Sequence, residues 1–245
     1  MHNFICTRQL YKGKEIMADT KYFEANDLIQ SWQDFSLNVS FSAAKGSMTS
    51  IVGSSGSGKS TILRLISGLE KASEKTRIIL NGKDITRVMA GKRGIGLVSQ
   101  SHSLFTHLTV EDNVGYGLIC RGVSKKESRK KANEFLQEFG LKNFAKRYPD
   151  TLSGGEAQRV ALARTLIVKP ELVLFDEPLS ALDAPLRKKL ASEIRVWQKD
   201  LGFTGIMVTH DIEEAKAMSE RIILIKAGKK IWDGKAADFS ESLMQ

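Results

Sequence analysis

Residues 48 to 69 pass from a short β-rich apolar segment through small polar residues to helical periodicity. MTSIV is short, apolar and β-rich, GSSGSGKS is small and polar, and Ile62, Leu63, Leu65, Ile66 and Leu69 fall on one side of a helix. The expectation is strand, loop, helix. Four successive apolar residues, Leu172 to Phe175, end in Asp176 and Glu177, the pattern of a strand buried on both faces in a parallel sheet. The runs GIGLVS before Gln100 and GIMVT before His210 predict further strands. Helical spacing covers Val110 to Cys120, Ser124 to Phe139 and Glu156 to Val168, the segment DIEEAKAMSE reads as a helix after His210, and another helix starts near Pro185. The expected fold class is α/β.

The 245 residues, 42% of them apolar, are enough for one large domain or two small ones with a real core. Cys6 and Cys120 give neither metal-ligand spacing nor a disulfide framework, which points to a reducing compartment, the cytosol. No apolar run approaches the roughly 18 residues of a bilayer span, and MHNFICTRQLYKGKE lacks the apolar stretch of a signal peptide. A role at the membrane would therefore come through a partner. Residues 1–20 read as a polar N-terminal extension, with Met17 as an alternative start.

The net charge of +9 raises the question of nucleic acid, because clustered cations displace the counterions of phosphates. Nine Lys or Arg against three Glu between residues 121 and 147 place +6 of that charge in one stretch. Ala132, Phe135, Leu136 and Phe139 recur there at helical spacing and no aromatic residues interleave with the charges, so a helix with a solvated basic face is expected rather than a nucleic-acid site.

Gly53, Gly58, Lys59 and Ser60 match the phosphate-binding pattern G-x-x-x-x-G-K-S in the strand-to-helix setting that the pattern needs. Across Gly53, Ser54, Ser55, Gly56, Ser57, Gly58, Lys59, Ser60 and Thr61, small residues would let backbone N–H groups turn toward a triphosphate. Lys59 would reach the β and γ phosphates and Ser60 would offer a hydroxyl to Mg²⁺. Asp176 would join the Mg²⁺ shell, and Glu177 would polarise the attacking water. A second anion loop follows about a hundred residues downstream: Ser153, Gly154, Gly155 and Glu156 open an apolar-periodic helix but carry no lysine.

With the P-loop, Gln100, LSGGEAQ, FDEP, SALD and His210 in this order, residues 22 to 238 resemble the ATP-binding cassette (ABC) ATPases. The resemblance implies a P-loop NTPase with a RecA-like core, an antiparallel β subdomain and an inserted α-helical subdomain over about residues 101–168, the nucleotide-binding domain spanning residues 21–245. It explains the second loop, since in this family two domains pack head to tail and the LSGGE segment of one, here Ser153 to Glu156, closes on the ATP held by the other. Gln100 would reach metal or water, His210 would contact the γ-phosphate, and Asp183 would lie at the dimer interface or cap the helix near Pro185. An aromatic ring stacking on adenine is implied upstream of the P-loop, with Trp32 best placed and Phe35 and Tyr22 competing.

SLFTHLTVEDNVGYGL and the stretches around LSGGEAQ and SALD look most similar to the importer branch for small solutes such as polyamines, iron, thiamine, sulfate or sugars. That resemblance implies ATP and Mg²⁺ as cofactors, a second copy or homologous ATPase and integral permease subunits as partners, and a place on the inner face of the cell membrane. Leu104, Phe105 and Leu108 would be exposed contacts for a permease helix, with core packing an equal reading for any one of them. Ser54 and Thr106 stand where this branch usually has proline, and because the sequence stops soon after DGKAADF the branch's regulatory β-rich domain is not expected. The competing expectation is an ABC-type ATPase acting on nucleic acid, which would carry coiled-coil, zinc or tandem-cassette insertions not visible here. A nucleotide-binding signal protein without turnover is a third, against which Glu177 and His210 speak.

Overall fold

Two kinds of strand build one sheet. The computed structural model describes residues 21–32 and 35–244, so the extension expected over residues 1–20 lies outside the described residues. β1 (Lys21–Ser31) and β2 (Ser36–Ala44) pair antiparallel, and β2 alternates strictly, with Leu37, Val39, Phe41 and Ala43 turned inward. β4 (Arg77–Leu80) and β5 (Lys83–Asp84) extend this flank beside β1. β3 (Met48–Val52), β7 (Leu172–Asp176) and β8 (Thr204–Thr209) are apolar almost throughout and buried on both faces. They run parallel with β6 (Ile95–Val98) and β9 (Arg221–Lys226). β10 (Lys229–Lys235) folds back on β9, and the order across ten strands is β5-β4-β1-β2-β10-β9-β3-β8-β7-β6.

Alternate residues of the parallel strands feed two cores. Leu172, Leu174, Ile206 and Val208 join Ile62, Leu63, Leu65 and Ile66 of helix α1 (Lys59–Ser67) on one face of the sheet. Val173, Phe175 and Met207 meet the other core, shared with α2 (Val110–Cys120), α3 (Lys125–Glu138), α4 (Gly154–Leu166) and α5 (Ala184–Leu201). A sixth helix, α6 (Ile212–Met218), packs below β3 and β9 through Ala215. The periodicity of the segment after the P-loop carries one residue too far. Gly68 leaves the helix in a left-handed conformation at φ 80°, and Leu69, expected on the buried side, is 61% exposed.

Arg93 anchors the end of α1. Buried itself, it donates from Nη1 to the carbonyls of Leu65 and Ile66 (2.9 and 2.6 Å), from Nη2 to Thr86 O (2.9 Å) and from Nε to Val88 O (2.8 Å). It thereby satisfies carbonyls that the helix end leaves open and ties them to the segment after β5.

The basic stretch forms the solvated helix that its periodicity predicts. Ala132, Leu136 and Phe139 are buried, Phe135 is half-buried, and Lys125, Lys126, Lys130 and Lys131 are exposed. Arg129 grips Asp112 of α2 with both arms of its fork at 2.7 Å, and Lys146 meets the buried Glu111 at 2.5 Å. Part of the local positive charge thus holds α2 and α3 together.

Candidate functional site

The parallel strands deliver chemistry to one edge of the sheet. At the carboxyl ends of β3, β8, β7 and β6, in their order across the sheet, stand the Gly53 loop, His210, the Asp176–Glu177 pair and Gln100. Ligands of open α/β sheets collect in such crevices. A cleft of about 360 Å³ opens there, lined by Trp32, Phe35, Ser55, Gly56, Gly58, Lys59, Ser60, Thr61 and Glu177.

The loop is shaped by close backbone approach. A Cβ on Gly53 would sit 2.2 Å from the Ile225 carbonyl oxygen, so no other residue fits without displacing β9. Lys59 Nζ donates to the carbonyls of Gly53 and Ser54 at 2.9 and 3.0 Å, folding the side chain under the loop. Burial pushes this ammonium below its ordinary range, while Glu177 and Asp176 pull it back. Ser60 Oγ donates to Asp176 Oδ1 at 2.9 Å, joining the start of α1 to the end of β7. Ser57 Oγ is buried without a hydrogen-bond partner.

Glu177 occupies a left-handed backbone conformation, φ 46°, that a residue with a side chain adopts at a cost. Its amide donates to Val208 O at 3.0 Å, and its carboxylate Oε2 lies 3.2 Å from His210 Nδ1. His210 is 60% exposed, its ring set against Glu177, which lines the cleft. Gln100 is exposed two residues beyond β6.

Of the three candidate aromatics, the structure brings two to the cleft. Trp32 is 46% exposed, and its ring lies 5.8 Å from Phe35, which packs on the core and against Gly58. Tyr22 is elsewhere, its hydroxyl 3.4 Å from Glu171 Oε2 and its ring beneath Lys45.

The LSGGE segment does not line this cleft. Ser153 caps α4 in a reciprocal box: its Oγ accepts from Glu156 N at 3.4 Å, and Glu156 Oε2 accepts from Ser153 N at 2.7 Å. That backbone donor holds the Glu156 carboxyl below the usual carboxylate range. Gly155 is buried beneath Leu186, where a Cβ would approach Leu186 Cδ2 to 2.9 Å, while Ser153 and Gly154 are exposed. Asp183 caps α5, its Oδ1 accepting from Leu186 N at 2.9 Å.

Sequence periodicity did not disclose the polar groups behind His210. Asp211 caps α6 through Glu214 N, a D-x-x-E pattern that a search for capping boxes would find. Glu214 accepts from Thr209 Oγ1 at 2.7 Å with one oxygen, and its other oxygen is buried without a partner. Burial raises this carboxyl to about 7. The folded state therefore holds the Glu214 proton more tightly than the unfolded chain, and stability falls as pH rises from about 4.5 through 7. Glu214→Gln should remove that loss, gaining on the order of 3 kcal/mol over the parent at pH 8 and little at pH 4.5. Urea unfolding at the two pH values measures it, and an equal gain at both would refute the titration.

Of the two readings open for the permease-contact residues, the structure favours packing. Leu104, Phe105 and Leu108 are half-buried, Leu104 against the second core and Phe105 against Tyr116 at 4.6 Å between rings. The exposed apolar residues of this corner are Tyr116 at 43% and Ile119 at 38%, because α2 turns that face outward.

A sheet with phosphate-loop, acidic-pair and histidine segments at one edge defines a P-loop nucleotide-binding fold. The ABC transporter family model matches residues 37–180, and the chain belongs to that family. It is 45% identical over 205 residues to the Fe(3+) ions import ATP-binding protein FbpC of Rhizobium etli, covering 84% of this chain and 58% of that protein. It is 47% identical over 192 residues to the protein of that name from Pasteurella multocida, covering 78% and 55%. The chain thus spans little more than half the length of the curated relatives it matches. CbiO1 of Clostridium perfringens, described as part of the ABC transporter complex cbiONQ, superposes with a TM-score of 0.80 at 26% identity over 90% of each chain.

Proposed function

We propose that the chain is the ATP-hydrolysing subunit of a membrane importer, working as a head-to-tail pair in which each ATP lies between the Gly53–Thr61 loop of one copy and Ser153–Glu156 of the other. The observation that carries this reading is a cleft lined by Lys59, Ser60 and Glu177, with Asp176 bonded to Ser60 and His210 set against Glu177. The backbone N–H groups of the loop and Lys59 bind the triphosphate, and Trp32 offers its face to adenine with Phe35 behind it. Ser60 and Asp176 are hard oxygen donors already in contact at 2.9 Å, so they suit Mg²⁺, with Gln100 as a further donor. Mg²⁺ there would neutralise charge on the β and γ phosphates. Glu177 orients a water and takes its proton, and His210, steadied by Glu177, donates toward the γ-phosphate. Exposed Ser153 and the first-turn N–H groups of α4 complete the neighbour's site, and Asp183 lies between the copies.

No helix among the described residues is long and apolar enough to cross a membrane. In this reading the chain reaches the inner face of the cell membrane through permease subunits that dock beside Phe105, Tyr116 and Ile119. Iron(III), named for the relatives, is the first solute to test, although no cluster of His, Cys, Asp and Glu among the described residues could hold it. A nucleic-acid substrate finds no support, because the relatives are named for import and Arg129 of the basic helix, with Lys146 beyond it, is spent on Asp112 and Glu111.

Affinity capture of the full chain from detergent-solubilised membranes of its own cells tests the reading. A multi-span protein should co-purify, and the complex should hydrolyse ATP with Mg²⁺ and stop with a chelator. Salt-sensitive capture of nucleic acid and no integral partner would overturn it.

A further inference from the structure

The loop from Glu177 to Asp183 and the segment from Thr209 to Asp211 touch at two places. One is the contact of Glu177 with His210. The other is bridged by a side chain from outside both segments. Arg187, one turn into α5, donates from Nη2 to the Leu182 carbonyl at 3.0 Å and from Nη1 to Asp211 Oδ2 at 2.9 Å. Neither end is loose. Leu182 adjoins Asp183, whose carboxylate caps α5, and the Asp183 carbonyl accepts from Arg187 N at 2.9 Å. Asp211 donates from its amide to Thr209 Oγ1 at 3.0 Å and accepts from Glu214 N at 3.0 Å through Oδ1.

We infer that Arg187 is a positioning residue, which holds His210 against Glu177 by pinning the residue after the histidine to the loop that carries Asp183. The inference rests on the ATPase reading for the meaning of His210 and Glu177, and on the geometry for the link itself. His210 is mostly exposed, lies between β8 and α6, and touches Glu177 with its ring. Fixing Asp211 fixes the Cα that precedes it, so the fork of Arg187 limits where the imidazole ring can go. A planar fork that serves two oxygens at once is what arginine provides and lysine provides only in part. The link also runs the other way. Movement of the Asp183 loop, which in the proposed pair faces the second copy, would be carried through Arg187 to His210. Closure of the pair and alignment of the histidine would then be one event.

Two readouts on the full chain test this. In Arg187→Ala, kcat for ATP should fall at least tenfold, with KM and nucleotide affinity within about twofold of the parent. Arg187→Lys should recover part of the rate. The double variant Arg187→Ala with Asp211→Asn should lose no more than the worse single variant, because both remove one link. Independently of turnover, the His210 ring signal in a histidine-labelled NMR spectrum, assigned by its loss in His210→Ala, should shift in Arg187→Ala while the signals of His102 and His107 stay. An unmoved His210 signal, or additive losses in the double variant, overturns the inference. A parent protein that binds but never hydrolyses ATP overturns the ATPase reading instead, and leaves the ring signal to decide the link.

Discussion

Replacing Glu177 by Gln should lower ATP turnover by about 10²–10⁴-fold, the range that a positioned general base contributes, while ATP still binds. The amide is isosteric and faces the same left-handed backbone at φ 46°, so the loop and its Ser180 contacts to the Glu177 carbonyl should persist. What disappears is an oxygen able to take a proton from water, and with it the charged partner of His210 Nδ1 at 3.2 Å. Binding is carried by other groups, chiefly Lys59 and the loop amides, and these are untouched. Because ATP is then not consumed, the two copies should stay closed on it, and a ligand held between subunits shifts their equilibrium by mass action. Size-exclusion chromatography with Mg²⁺ and ATP should show a stable dimer for Glu177→Gln and a transient one for the parent. Turnover within a few-fold of the parent would remove Glu177 from the role of base.

The parts of this site that could be read from sequence are those whose physics is local. A strand buried on both faces reads as a largely apolar run; β7 is an unbroken one and β3 and β8 are apolar runs that admit small hydroxyl residues, so their carboxyl ends and the residues that follow were found where expected. Helical spacing placed α2, α3 and α4 to within a few residues for the same reason. The antiparallel flank was anticipated only through family resemblance. β1 carries a register shift around Asp27 at φ 50°, and β5 is two residues long, so neither gives a clean alternating pattern.

Contacts between distant segments were legible only where two motifs share one chemistry, as Ser60 and Asp176 do. Gly155 beneath Leu186 joins residues 31 apart, and Arg187 on Asp211 joins residues 24 apart. No periodicity records such pairs, because each partner reads alone as an ordinary surface or capping residue. Leu69 failed and Phe105 stayed open between surface and core for one reason: burial depends on what packs opposite, and neither the turn at Gly68 nor the ring of Tyr116 can be inferred from spacing. The same distinction separates the two anion loops. Sequence marked both as candidate anion loops, but only the fold shows that Ser153 does not line the cleft formed by the first.

That separation produces the most demanding prediction, made with mixed pairs. Lys59→Ala should lose nucleotide binding at its own loop but keep an intact LSGGE segment. Ser153→Arg should keep its own loop and put a bulky side chain at the exposed start of α4, where Gly154 leaves room and buried Gly155 holds the helix against Leu186. Each variant alone leaves every composite site of its pair with one defective half, so both should hydrolyse ATP at no more than about a hundredth of the parental rate, as removal of a set of charge-stabilising donors does. Mixed in equal amounts and allowed to exchange, half of the pairs are hybrids, and each hybrid joins the sound loop of the Ser153→Arg chain to the sound LSGGE segment of the Lys59→Ala chain at one of its two sites. Turnover should therefore climb to roughly a quarter of the parental rate if the two sites fire independently, and to a smaller but still elevated rate if they fire together. A mixture no more active than its separate components would mean that each copy completes its own site, which the distance of Ser153 from the Lys59 cleft would then leave without a structural explanation.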